Sequence, residues 1–147
     1  MTPFTSDLDL LEQTVAVAKA AFDRGDGAFG AAVVLDGNVV SLEAVAIDST
    51  LDPTAHGEVC AIRAACRNLG TTDLTGGVLY TSCEPCVMCA SAAVWAGIRS
   101  VIYAAPIEAV TRYPVRDLFP SGTIDWSLLP LKRTFMPLDD AIELLSR

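Results

Sequence analysis

His56 and Glu58 stand two residues apart in DPTAHGEVCAIR, and Pro85 directly precedes Cys86-Val-Met-Cys89 in TSCEPCVMC. Each stretch reads as the first turn of a helix that starts shortly after a proline. No other feature constrains the fold as much, because two helix starts must meet if these side chains are to act together. Residues i and i+3 of a helix share a face, so Cys86 and Cys89 can grip one ion. Helix N-termini also favour thiolates. If the two helices begin at the ends of neighbouring strands, His56, the only histidine, joins them. Three protein ligands around Zn²⁺ leave one position for water, the arrangement of a catalytic site. Zinc lowers the pKa of that water towards neutrality and generates hydroxide. Glu58 lies roughly 200° around an ideal helix from His56 and is not expected as a fourth ligand. A carboxylate beside such water can take its proton and return it to a leaving group.

Two rival readings use the same residues. One is a redox C-x-x-C pair, although Glu-Pro before Cys86 is not a thioredoxin-like strand context. The other is a closed structural zinc held by Cys83, Cys86, Cys89 and His56. Cys83 is expected on the strand end or its turn, facing elsewhere. Cys60 and Cys66 read as small apolar residues.

The rest of the chain supplies a scaffold for such a site. Apolar positions Leu8, Leu11, Val15, Ala18 and Phe22 give a helix over residues 7–24, capped by Ser6 or Asp7 and stopped by Gly25. Two β-branched runs flank Asp36-Gly37-Asn38, a strong hairpin signal. Residues 56–69 are helical to Gly70, 78–81 form a short strand, 86–96 a helix to Gly97, and 100–105 a buried strand. A hairpin followed by alternating strands and helices predicts an α/β fold with a mixed sheet covered on both faces. Beyond Pro106 the periodicity fades until LDDAIELLS, a short capped helix. No repeat or linker divides the 147 residues, so one domain is expected.

Charge and thiol chemistry exclude some functions. Eighteen acids against ten bases give a net charge of −8, a poor match to a phosphate backbone, and the longest basic run is Lys132-Arg133. Five cysteines without a signal-peptide pattern at the N-terminus read as reduced thiols of a cytoplasmic protein. No run of about 18 uncharged apolar residues offers a membrane span. At 52% hydrophobic, the chain carries more apolar content than its own core needs, which suggests a subunit interface.

H-x-E followed by P-C-x-x-C is the signature of zinc-dependent deaminases. FGAAVVLDGNVV, DPTAHGEVCAIRAAC and LYTSCEPCVMCASAAVWAGI resemble the cytidine-deaminase-like superfamily, in the branch that holds bacterial guanine deaminases, cytosine deaminases and tRNA adenosine deaminases. The likeness spans roughly residues 7–105. It implies a three-layer α/β/α sandwich around a five-stranded mixed sheet. It also implies one Zn²⁺ per subunit on His56, Cys86 and Cys89, with Glu58 as proton shuttle. Members of the superfamily usually form homodimers or larger assemblies whose subunits help shape each other's pockets.

The expected substrate is a small free amino-heterocycle: guanine, cytosine, 5-azacytosine or an aminotriazine. The alternatives are a tRNA adenosine-to-inosine deaminase, which the acidic charge disfavours, and a non-catalytic zinc protein. Two departures from the resemblance bear on the ring. An asparagine usual between the second strand and DPTAH is missing from EAVAIDSTLDPTAH, which leaves Asp48 or the backbone to do its work. The tail RYPVRDLFPSGTIDW does not match guanine deaminases and offers Asp117, Phe119 and Trp126 instead. Phe29 and Trp95 are candidates to stack on the ring. Ala55 adjoins the metal histidine and can offer backbone groups. Glu84 is placed either to accept a hydrogen bond from a ring amine or to cap the following helix.

Overall fold

The computed structural model describes residues 1–111 and 125–147. A two-residue strand, β1 (Thr2–Pro3), precedes the first helix, α1 (Asp7–Asp23). Ser6 caps α1, its Oγ accepting from the Asp9 N–H at 3.1 Å. Strands β2 (Gly30–Leu35) and β3 (Asn38–Ala44) form the predicted hairpin. Its turn residues Asp36 and Gly37 have φ of 51° and 75°, the left-handed pair that a type I′ turn requires. Next come α2 (Ile47–Thr50), α3 (Gly57–Leu69), β4 (Val78–Thr81), α4 (Val87–Trp95) and β5 (Ser100–Tyr103). Two short 3₁₀ turns, Ile107–Ala109 and Trp126–Leu128, lead to β6 (Lys132–Phe135) and α5 (Asp139–Leu145).

The strands form one sheet in the order β1-β3-β2-β4-β5-β6. Pairings from β1 to β4 are antiparallel, and β4, β5 and β6 run parallel. The expected mixed sheet is therefore present, with six strands rather than five. Neither β1 nor β6 carries an alternating apolar pattern. The first is two exposed residues, and KRTF of β6 is only partly covered. The β6 strand is defined by its partner, with register from Ser100↔Lys132 to Tyr103↔Phe135.

Helices cover both faces, giving the α/β/α layers. On one side α1 and α5 bring Leu10, Leu11, Ala18, Leu144 and Leu145 against Tyr80 of β4. On the other, α3 and α4 bring Ala61, Ala65, Ala90 and Ala93 against Val33, Leu79 and Val101. Alternation along the strands sends successive side chains to opposite layers. Small residues on α3 and α4 let both helices lie close to the sheet, so their N-termini sit over the end where β4 finishes. Gly30 is the tightest point. A Cβ there would fall 2.1 Å from the Thr14 carbonyl oxygen of α1. Its N–H donates to Ser82 Oγ at 2.9 Å, and its carbonyl accepts from the Ser82 N–H at 2.9 Å. This exchange ties β2 to the turn that carries the cysteines. Among the described residues, no helix is long and apolar enough to cross a membrane.

Candidate metal centre and active site

His56 is the N-cap residue of α3 and Cys86 the N-cap residue of α4. Both have extended backbone, and neither side chain makes the usual capping hydrogen bond, so both are free to point at each other. Cys89 follows in the first turn of α4. Its Sγ lies 3.5 Å from His56 Nδ1, and Cys86 Sγ lies 3.6 Å from the same nitrogen. Among the described residues these three are the one set whose ligand atoms all lie within 4.8 Å of one another. The spacing suits zinc. Tetrahedral bonds of about 2.3 Å to sulfur and 2.0–2.1 Å to nitrogen hold those atoms about 3.6 Å apart. The donor set, two thiols and one imidazole, is also a zinc set.

Within the trio, Cys86 is the group already shifted towards its ligating form, while His56 and Cys89 must each give up a proton to bind a metal. A hydrogen bond from Cys89 is the main cause that draws Cys86 down to about 4, so Cys86 is a thiolate. The Cys86 contact in turn raises His56. Cys89 is driven up by donating to Cys86 and by burial. Glu58 is 6% exposed, in the first turn of α3. Burial, then the Cys86 charge, pushes its carboxyl up to about 7. A carboxyl with that pKa can both take and give a proton near neutral pH.

Cys83 stands apart. It packs in the core on the α1 and α5 side, and burial holds its thiol protonated, well above the usual range. It shares no cluster with His56.

The remaining sequence candidates are distributed unevenly. Phe29 is half-buried, and its carbonyl oxygen would lie 3.2 Å from a Cβ at Gly57, so it flanks the start of α3. Ala55 is buried immediately before His56, and its carbonyl accepts from the Ala46 N–H at 2.9 Å. Asp48 is exposed on α2. Within the segment lacking the asparagine, Val45 is 1% exposed and donates its N–H to the Phe29 carbonyl. Trp95 ends α4 at 91% exposure, about 13.5 Å along the helix from Cys86 at 1.5 Å per residue. The structure does not bring it to the ligands of its own chain. Asp117 and Phe119 lie outside the described residues. Trp126 lies beneath Arg133, whose guanidinium carbon is 3.8 Å from the ring centroid.

Glu84 is turned towards the parallel half of the sheet. Its carboxylate lies 3.6 Å from Arg133 Nη1 and accepts from the Tyr103 hydroxyl and the Ile107 N–H. Burial, then Glu108, raises its pKa. The sequence carries no signal for this partner set, because Arg133 sits in the unpatterned tail and meets Glu84 only through the pairing of β5 with β6.

Residues 5–105 match the model of the cytidine and deoxycytidylate deaminase zinc-binding region. The chain belongs to this family. The guanine deaminase of Bacillus subtilis (strain 168) is 45% identical over 116 residues, covering 78% of this chain and 74% of that one. The tRNA-specific adenosine deaminase of Aquifex aeolicus (strain VF5) is 36% identical over 140 residues, covering 92% and 89%. A structure solved in a study of A-to-I editing by tRNA:A34 deaminases is 30% identical, with a TM-score of 0.71 over 88% of this chain and 98% of that one. With its His-Cys-Cys zinc site, the protein is a hydrolytic deaminase acting on a C–N bond.

Proposed function

We propose that the protein deaminates a small free amino-heterocycle, a nucleobase or an analogue such as guanine, cytosine, 5-azacytosine or an aminotriazine. The observation that carries the chemistry is the buried Glu58 carboxyl, 6% exposed in the first turn of α3, two residues after His56 of the His56, Cys86 and Cys89 cluster. Zinc held by His56, Cys86 and Cys89 supplies Lewis-acid activation of water. Glu58 takes a proton from that water as its oxygen adds to the amine-bearing ring carbon. The carboxyl passes that proton to the ring nitrogen beside this carbon, then takes the second proton from the added oxygen and delivers it to the departing amine. The C–N bond breaks, a ring carbonyl forms, and ammonia leaves.

The preference for a free base over tRNA rests on charge. Lys19, Arg24, Arg63, Arg133 and Arg147 each face a carboxylate within 4 Å. Half of the ten basic side chains are thus already paired, in a chain of net charge −8 that is a poor match to a phosphate backbone. One observation favours the second reading, an adenosine deaminase of tRNA: the Aquifex aeolicus relative matches 92% of this chain. Ammonia release should be measured from guanine, cytosine, 5-azacytosine, aminotriazines, adenine, cytidine and guanosine, beside inosine formation in tRNA. At least one free base should release ammonia with tRNA unchanged. Silence on every small molecule, with inosine appearing in tRNA, would hand the protein to the second reading.

A homodimer belongs to the same proposal. Val59, Met88, Ala92 and the exposed Trp95 form one apolar face across α3 and α4. An exposed indole on such a face calls for a partner. A second copy seated there would also offer each chain a Trp95 from outside. Light scattering should give the mass of two chains, and a single-chain mass at micromolar concentration would exclude the dimer.

A further inference from the structure

We propose that Arg133 is a positioning residue for the metal turn. Through Glu84 it holds residues 82–86 in the shape that aims Cys86 at His56. The inference rests on the zinc site and not on the identity of the substrate.

The turn is tethered at three points. The Ser82 N–H and Oγ bond to Gly30, and the Glu84 N–H donates to the Ala105 carbonyl at 2.8 Å. The third tether is the Glu84 side chain. Only Pro85 separates Glu84 from Cys86, and its ring fixes φ, so little slack remains between the carboxylate's anchor and the thiolate. Tyr103, the Ile107 N–H and Arg133 surround that carboxylate, with Glu108 close by. Without the Arg133 cation, the like charge of Glu108 would drive Glu84 away from this position.

Arg133 is itself well placed to act as an anchor. Its guanidinium stacks over Trp126, a cation–π contact that fixes its plane. Trp126 packs against the core beneath α3 and α4. The strand carrying Arg133 is pinned at both ends: the Lys132 N–H donates to the Arg99 carbonyl at 2.8 Å, and the Met136 N–H to the Tyr103 carbonyl at 2.9 Å. A continuous chain thus runs from the core through Trp126, Arg133, Glu84 and Pro85 to Cys86. The Arg133 and Glu84 side chains are 27% and 14% exposed. A partly solvated pair of this kind adds little to overall stability. Its effect is local geometry, and outer partners of metal ligands act on metal affinity.

The test uses the whole chain in Arg133→Met, Glu84→Gln and the double variant. Methionine keeps length and contact with Trp126 but removes the charge. Glutamine keeps size at position 84, so it stands in should Arg133→Met fail to fold. Zinc affinity is read by competition with a chromogenic chelator, and ligand geometry by the visible spectrum of the cobalt(II)-substituted protein. Each single variant should bind zinc about 10–100-fold more weakly, with shifted cobalt bands. Measured without zinc, so that the affinity loss does not itself lower stability, the melting temperature should move by no more than about 4 °C. Arg133→Lys should recover part of the affinity, and the double variant should be no worse than either single one. Unchanged affinity and cobalt spectrum in both single variants would overturn the tether, as would losses that simply add in the double variant. If the parent chain held no zinc, the metal-site reading and the tether would fall together.

Discussion

Glu58→Gln should lower ammonia release by about 10²–10⁴-fold while the protein keeps its zinc, a loss of roughly 3–5 kcal/mol of transition-state stabilisation. Glutamine preserves the size of a side chain that is 6% exposed, so packing around α3 should hold. It cannot take a proton from water or carry one to the amine. Glu58 is not one of the three clustered ligands, so metal content should not follow activity down. The pH profile offers a second readout. Burial holds the carboxyl at about 7, and the base form, present above its pKa, is the one that starts the reaction. A zinc cation beside it stabilises the charged form and moves the value below that. The rate should therefore rise with pH along an acidic limb whose midpoint lies below about 7. In Glu58→Gln that limb should vanish. Full activity in the variant would remove the proton-shuttle role, and zinc loss in step with activity would make Glu58 a structural support.

Much of this site could be read from the chain because its residues sit at helix starts with fixed spacing. Pro85, Cys86 and Cys89 define their own turn, and His56 and Glu58 define another. The fold needed only to bring two N-termini together. The hairpin was equally legible, because Asp36-Gly37 leaves few alternatives in backbone conformation. What failed to show was anything that depends on distant partners. The KRTF stretch of β6 has no period of its own and becomes a strand only beside β5. Glu84 reads in sequence as a ring contact or a cap, but its neighbours in space are Tyr103 and Arg133, which no local pattern connects to it. Trp95 reads as a stacking candidate because it is the aromatic of AVWAG, in the stretch that carries the family resemblance. A helix advances 1.5 Å per residue, so nine residues carried it to the far, exposed end of α4. Its aromatic surface matters to a second chain more readily than to its own pocket.

The three cysteines of TSCEPCVMC separate cleanly by substitution. Cys89→Ala should abolish stoichiometric zinc binding and, with it, all measurable deamination, because two remaining ligands cannot hold the ion in a tetrahedral site. Cys86→Ala should do the same, since it removes the group that is already a thiolate. Both residues face His56 at 3.5–3.6 Å. Metal binding stabilises the folded chain by mass action, so both variants should also melt at a lower temperature than the zinc-loaded parent and respond little to added zinc. Cys83→Ala is the control that gives these losses meaning. It lies three residues from Cys86 but packs in the opposite layer, among Leu10, Leu11 and Leu144. Its replacement deletes one buried sulfur, which should cost about 1 kcal/mol of stability and leave zinc content and rate unchanged. Zinc content by atomic emission and the rate on the best free base decide the matter together. Were Cys83→Ala to strip zinc as completely as Cys89→Ala, the site would have four protein ligands and no position for water. The chain would then hold a closed structural zinc, and Glu58 would have no water to deprotonate.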